Sequence, residues 1–334
     1  MVTVRAWIVT DGKAGDELQC LAVAEALGIT PEIRRIGPRA PFWWLTPYGP
    51  IDIRDRPSRR GSPIAPPFPD LLIGSGRRAV PYVRKVKRAS RGRTFTVFLK
   101  DPVTGPRTAD LIWVPEHDKL RGPNIVTTIT PPHRVSPERL AAARAEPDPR
   151  LASLARPRVA VLAGGASKHY PFHAEDAARF LAGLTRLAAT GVGLMATTSR
   201  RTPEALRDGL ASLVARHGGF LWDGKGQNPY IALLALADAI VVTADSYNMV
   251  GEAAATGAPI LVFEPSGGHP KLRAFLEDLE RHGAVKRFEG RLEAFRYEPL
   301  DSTPTIAEAV REGLARHRRG LGLAGSAPQA PEIP

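Results

Sequence analysis

The stretch "VVTADSYNMVGEAAATGAPILVF", residues 241–263, decides the fold of this chain. Its β-branched start reads as the end of a strand, and "ADS" turns the chain. "YNMVGEAAA" then reads as a helix of small and apolar residues. Asp245 or Ser246 can cap that helix by accepting from the N–H groups of its first turn. Gly257 just past its end and Pro259 beyond are stop signals, and Ile260–Phe263 begins a new strand. A helix between two strands implies parallel pairing, with helices covering the sheet. Glu252 does not fit that account: a carboxylate among small packing residues must reach solvent or meet a partner. A pair of sugar hydroxyls is one such partner, because both can donate to one carboxylate.

Outward from this stretch the same alternation recurs. Towards the N-terminus, strands are expected at Val4–Thr10, Glu32–Ile36, Asp70–Ile73, Phe95–Leu99, Leu111–Val114 and Ile125–Thr128, with helices at Glu17–Leu27 and Ala79–Ala89. Residues 37–69 are Pro/Gly/Arg-rich and irregular, and 137–157 read as a connector. The pattern then restarts with strands at Val159–Leu162, Val192–Thr197, Gly219–Trp222, Ile240–Thr243 and Ile260–Phe263. Helices are expected at Ala174–Ala189, Pro203–His217, Tyr230–Leu236, Lys271–His282 and Ile306–Arg318. The fold class is therefore α/β, as two tandem Rossmann-like domains with parallel sheets facing a central cleft. The expected division is 1–150, basic and on the acceptor or partner side; 151–300, on the donor side; a C-terminal helix at 301–320; and a disordered tail at 321–334.

Charge is uneven. Residues 1–150 hold 25 Lys and Arg against 15 Asp and Glu, whereas the remainder holds 21 against 19. A basic first half points to an anionic partner, unless it reflects only arginine-rich codon usage. The single cysteine, Cys20, rules out an internal disulfide and fits a reducing compartment. No apolar run reaches membrane-spanning length, and the N-terminus lacks a signal-peptide layout. A cytoplasmic location, with peripheral contact to an inner membrane surface, is the expectation. Within "PFWWLTPYGP", 41–50, Trp43, Trp44 and Tyr48 are expected either to sit at headgroup depth or to pack beneath the long loop.

In open α/β sheets ligands bind beyond the carboxyl ends of the strands, so the turns there carry the chemistry. "TDGKAGDELQC", 10–20, holds Gly12, Lys13 and Gly15 before a helix start suited to an anion. Read as an ordinary turn, its Asp16 and Glu17 serve the helix dipole. "GGASKHYPF", 164–172, offers Gly165, Ser167 and Lys168 to a diphosphate, and "TTSRR", 197–201, adds Thr198, Ser199 and Arg200. Lys100 and Asp101 follow another strand. There is no D-x-D pair for a metal-bound donor, and no metal site or separate cofactor is expected. None of the six tyrosines has lysine four residues on, which argues against short-chain dehydrogenase chemistry. No nucleic-acid module is recognisable, and no nucleic-acid partner is expected.

"ADAIVVTADSYNMVGEAAATGAPILVFEP" resembles the donor-site segment of two-domain GT-B glycosyltransferases. The whole chain resembles a bacterial member of the mitochondrial-fission "elongated mitochondria" family, itself related to those enzymes. The likeness is carried by "TDGKAGDELQCLAVAEALG" (10–28), "LIGSGRRAVPYVRKVKR" (72–88), "KDP" (100–102), "VPEHD" with "GPNIVTT" (114–128), "GGASK" (164–168), "TTSRR" (197–201) and "TADSYNMVGEA" (243–253), across roughly residues 3–320. It implies transfer of a sugar from a nucleotide-diphosphate donor to an anionic or lipid-linked acceptor, without a metal. Gly165, Ser167, Lys168, Thr198, Ser199, Arg200, Asp245, Ser246 and Glu252 would hold the donor, with Glu252 on the ribose. Gly12, Lys13, Gly15, Lys100 and Asp101 would lie on the acceptor side. Many GT-B enzymes carry a histidine in the first Gly-rich turn. This chain has Asp16-Glu17 there, so Asp16 or His117 would act as the base. As the alternative, the resemblance implies a non-catalytic adaptor, because plant relatives recruit a dynamin-like protein to mitochondria.

Overall fold

The computed structural model describes residues 4–222 and 224–323. They fall into two units, 4–134 with 302–323, and 135–301. In the first, β1 (Ala6–Thr10) leads to α1 (Ala14–Ala26), β2 (Glu32–Arg35), β3 (Leu71–Ser75), α2 (Val80–Ala89), β4 (Phe95–Leu99), β5 (Leu111–Pro115) and β6 (Ile125–Thr128). The six strands are parallel in the order β2-β1-β3-β4-β5-β6. β1, β3, β4 and β5 are buried along their whole length, which is why they read as mostly apolar runs with few polar positions. Gly28, at φ 70°, ends α1 as its position required.

The second unit opens on α3 (Pro137–Ala145) and α4 (Pro149–Ala152), then runs β7 (Arg158–Ala163), α5 (Ala174–Ala188), β8 (Gly193–Thr198), α6 (Glu204–Arg216), β9 (Phe220–Trp222), α7 (Tyr230–Leu236), β10 (Ala239–Thr243), α8 (Tyr247–Ala254), β11 (Ile260–Phe263), α9 (Pro270–Arg281) and β12 (Val285–Arg287). Its six parallel strands are ordered β12-β11-β10-β7-β8-β9. The chain starts at β7, extends to β9 on one side, then crosses to β10 on the other. The switch point lies between β7 and β10, where Rossmann-like sheets of this order open a crevice for ligands. In the first unit the equivalent point lies between β1 and β3.

The expected boundary at 150 is moved by two helices. The supposed connector is helical: Ser136 and Asp148 cap α3 and α4, each followed by proline in the first turn. α3 packs on α7, so the second unit begins at Val135. The last helix, α10 (Thr303–Gly320), returns to the first unit and packs on α1. His133 N–H donates to Thr303 Oγ1 at 3.0 Å, and Thr303 Oγ1 donates back to the His133 carbonyl at 3.0 Å, tying the helix start to that unit. α10 also begins earlier than the expected Ile306, because Pro304 and Thr303 form its first turn. Of the expected tail, 324–334 lies outside the described residues. No helix among the described residues is long and apolar enough to cross a membrane.

Candidate functional site

The switch point of the second unit is built around Asp245. Its side chain has no exposed surface. Oδ1 accepts from the Thr243 hydroxyl at 2.6 Å, while Oδ2 accepts from the Gly165 N–H and from the Arg201 guanidinium, both at 3.0 Å. Thr243 Oγ1 in turn accepts from the Gly164 N–H at 2.8 Å. Burial raises the Asp245 pKa above the ordinary carboxylate value, with Thr243, Gly165 and Arg201 pulling against it. Asp245 therefore ties the turns after β7, β8 and β10 together and has no face left for a ligand. This corrects its assignment to donor binding. It does not cap α8 either: Ser246 does, accepting from the Met249 N–H at 3.3 Å.

Gly164 and Gly165 have ordinary φ angles, so they are not there for a left-handed turn. They are there for space. A Cβ on Gly164 would overlap the Asp245 carboxylate, and one on Gly165 would overlap the Arg201 carbonyl and crowd the Thr202 nitrogen. Ser167 and Ser199 are also drawn inward. Ser167 Oγ accepts from the Tyr170 N–H at 3.2 Å, and Ser199 Oγ accepts from the Arg201 N–H at 3.1 Å. Thr202, which sequence reasoning missed, caps the same turn by donating to the Gly164 carbonyl at 2.6 Å. These residues shape the site. Lys168, Arg200 and Thr198 are left on its surface, with both cations exposed.

A fourth turn, after β11, completes the strand-end rim. Asp176 on α5 holds Ser266 through both its N–H (2.9 Å) and its hydroxyl (2.8 Å). Gly267 and Gly268 take φ 106° and 127°, and Gly268 N–H donates to the His169 carbonyl at 2.7 Å. The rings of His169 and His269 then meet at a tilt of 51°, their centroids 4.3 Å apart. His269 caps α9 by accepting from the Lys271 N–H at 3.2 Å, and its pKa falls through burial and the neighbouring His169, Lys271 and Lys168. The signal for this turn was legible as "SGGHP" between a strand and a helix.

Glu252 lies half-buried in the middle of α8. Its Oε2 accepts from the Tyr230 hydroxyl at 2.6 Å, a partner on α7 that the sequence did not disclose. Among the described residues Oε1 makes no hydrogen bond. Burial pushes the Glu252 pKa up to about 7, and Tyr230 opposes the shift. The helix end below it is closed by the returning chain, where Tyr297 Oη donates to the Ala258 carbonyl at 3.1 Å and Leu300 N–H to the Ala254 carbonyl at 2.9 Å.

In the first unit, the β1 turn uses Gly12 at φ 80°, and its N–H donates to Thr10 Oγ1 at 3.2 Å. Gly15 is not a turn residue but lies in the first turn of α1. Lys13 at the helix cap reaches Asp11 at 2.8 Å. Asp16 is buried and ion-paired with Lys100, itself held at φ 81° at the end of β4. Asp101 accepts from the Val103 N–H at 2.8 Å. Asp11, which sequence reasoning passed over, has a side chain only 2% exposed and a buried Oδ1 without a hydrogen bond. Asp11 Oδ1 and Asp16 Oδ2 flank the same point, 3.7 and 3.1 Å from where a Gly76 Cβ would stand. His117 sits past β5, half-buried and three strands from β1.

Two tandem Rossmann-like α/β units, each built on a six-stranded parallel sheet, define a GT-B-like fold. MnaA of S. aureus in its UDP co-structure shares it at 10% identity, over 97% of this chain and 99% of that one, with a TM-score of 0.53. The UDP-GlcNAc 2-epimerase from Methanocaldococcus jannaschii matches over 92% and 99%, also at 10% identity and a TM-score of 0.53. The family model for mitochondrial fission ELM1 matches residues 14–314, and the chain belongs to that family. Mitochondrial fission protein ELM1 of Arabidopsis thaliana is 27% identical over 282 residues, which is 76% of this chain and 66% of that protein. Uncharacterized protein RP120 of Rickettsia prowazekii is 29% identical over 164 residues, 46% of each chain. The matched part thus spans less than two thirds of either relative's length.

Proposed function

We propose that this chain is a glycosyltransferase that takes a nucleoside-diphosphate sugar on its second unit and passes the sugar to a hydroxyl of an anionic or lipid-linked acceptor. The observation that carries the reading is Glu252: one carboxylate oxygen is held by Tyr230 and the other is unbonded among the described residues, on the helix that leaves the switch point. That is the arrangement to accept from ribose hydroxyls. The reading is supported by MnaA of S. aureus, a protein of similar fold whose structure was determined with UDP. The diphosphate would lie at the turns after β7 and β8, against Lys168, Arg200, Thr198 and the start of α8. In the transfer, the acceptor oxygen attacks the anomeric carbon and the bond from that carbon to the diphosphate oxygen breaks. The acceptor proton goes to a carboxylate or imidazole, and the leaving diphosphate is stabilised by the two cations and the helix N–H groups. On the first unit, Asp11 joins Asp16 and His117 as a group able to take that proton.

Incubation of the full chain with a panel of nucleotide sugars and a membrane lipid extract tests the transfer. Release of nucleoside diphosphate that depends on the extract, and that falls at least tenfold in the Lys168→Ala/Arg200→Ala variant, is expected. Extract-independent background with every donor would remove the enzymatic reading. It would favour a non-catalytic binding protein on the same scaffold, in which Asp16 serves only as the buried ion-pair partner of Lys100.

A further inference from the structure

The segment 41–60 of the first unit carries apolar side chains where water, not protein, surrounds them. Residues 41–49 form a tight succession of turns, with Trp44 N–H donating to the Pro41 carbonyl at 3.1 Å and Gly49 N–H to the Leu45 carbonyl at 2.7 Å. The turn is closed because Gly49 has no Cβ to strike Leu45. Its base is anchored. Pro47, Ile51 and Ile64 are buried, Asp52 binds Arg39 through two hydrogen bonds of 2.9 and 2.7 Å, and Asp55 accepts from the Tyr82 hydroxyl. Its tip is not anchored. Trp44 is 64% exposed and Tyr48 68%, with Trp43, Leu45 and Ile53 also exposed. The alternative that these rings pack beneath the loop therefore fails. The Trp43 and Trp44 rings meet edge-on at 5.7 Å, and the Arg78 guanidinium lies 5.4 Å above Trp43.

Arginine surrounds this tip in the chain. Arg54, Arg56, Arg59 and Arg60 are exposed, and among the described residues none forms an ion pair with a carboxylate. The segment's own two acids are already engaged, Asp52 by Arg39 and Asp55 by Tyr82. Exposed indole, phenol and aliphatic groups beside unneutralised cations match one environment well: the headgroup layer of an anionic bilayer. Indole and phenol rings are favoured at that depth. Guanidinium groups attract acidic headgroups. Insertion and charge together supply the two signals that durable membrane attachment requires. Nucleic acid would use the rings and the arginines but would leave Leu45 and Ile53 in water, since bases stack on flat rings.

We propose that residues 41–60 dock the first unit on an anionic membrane surface, with Trp43, Trp44, Leu45 and Tyr48 at headgroup depth and Arg54, Arg56, Arg59 and Arg60 on the acidic headgroups. The inference is independent of the sugar-transfer reading. Sedimentation of the full chain with vesicles of phosphatidylcholine alone, or mixed with phosphatidylglycerol, tests it. Binding to the mixed vesicles is expected, weakening as salt rises. It should fall more than tenfold in Trp43→Ala/Trp44→Ala and more than tenfold in Arg54→Gln/Arg56→Gln/Arg59→Gln/Arg60→Gln, with each variant melting at the parent's temperature. Brominated lipid should quench the parent's tryptophan fluorescence and leave the double-tryptophan variant's unchanged. Should a multiple variant misfold, Trp44→Ser alone, at the most exposed indole, should lower binding severalfold. Equal sedimentation of parent and folded variants, preference for neutral vesicles, or binding of an acidic peptide or oligonucleotide through these residues without vesicle binding would overturn the proposal.

Discussion

Gly165→Ala is expected to destabilise the protein by about 4 kcal/mol, lowering the melting temperature by about 10 °C. The added methyl has nowhere to go. It would strike the backbone carbonyl of Arg201 and the nitrogen of Thr202, and backbone cannot rotate away as a flexible side chain can. The Ala166 N–H that donates to that same Arg201 carbonyl at 3.2 Å would lose its geometry, and the Gly165 N–H would withdraw from Asp245. Asp245 would then be a buried carboxylate short of one donor, next to an Arg201 whose main chain has shifted. Gly37→Ala is the control, because Gly37 has an ordinary φ and no atom within 4 Å of its added Cβ. It should melt within about 1 °C of the parent. Thermal denaturation followed by circular dichroism measures both, and equal melting of the two variants would show that the β7 turn yields more easily than its packing implies.

Nucleotide affinity is expected to rise about 30-fold between pH 5.5 and pH 8, through the ionisation of Glu252. Burial lifts that carboxyl from an ordinary 4.5 to about 7. A protonated carboxyl offers a poorer acceptor to two hydroxyl donors, so the ribose selects the ionised form and a proton leaves on binding below pH 7. In the ligand-free chain the same shift acts on folding: its contribution is largest below the unfolded value near 4.5 and is lost as pH rises through about 7. Glu252→Gln removes the ionisation and keeps the size. At pH 8 it should weaken nucleotide binding about 30-fold, which is about 2 kcal/mol. Its pH profile should retain only the titration of the phosphate itself. Calorimetric titrations at several pH values separate the two contributions, and a parent and variant with the same slope would show that Glu252 does not meet the ligand.

The architecture was legible because parallel strands buried on both faces read as mostly apolar runs without alternation, and the runs at 71–75, 95–99, 159–163 and 239–243 are of that kind. β12 escaped notice because Val285–Arg287 is three residues long at a sheet edge, with only Val285 buried. The segment of α3 and α4 reads as linker because proline and charge dominate there, yet those prolines stand in the first helical turn, where proline is favoured. The strand-end turns could be found by position along the chain, since glycine, hydroxyl and basic residues recur there. Which of their side chains turn inward could not. Asp245 and Arg201 meet across two strands of the sheet, and Tyr230 reaches Glu252 from another helix. Such pairs depend on strand order, which carries no local signature. The same limit applies to Asp11: a lone aspartate at a strand end gives no hint that its Oδ1 will be buried without a donor.

Calorimetric titration of the full chain with UDP, GDP, CDP and ADP, each beside its 2′,3′-dideoxy analogue, tests the nucleotide site most directly. One nucleoside diphosphate should bind at a single site with a dissociation constant in the micromolar range, and its dideoxy analogue should bind at least tenfold more weakly, since Glu252 would lose both hydroxyl donors. No heat with any of the four, or equal affinity for a nucleotide and its dideoxy analogue, would contradict the assignment of Glu252 and the strand ends of the second unit to a nucleoside diphosphate.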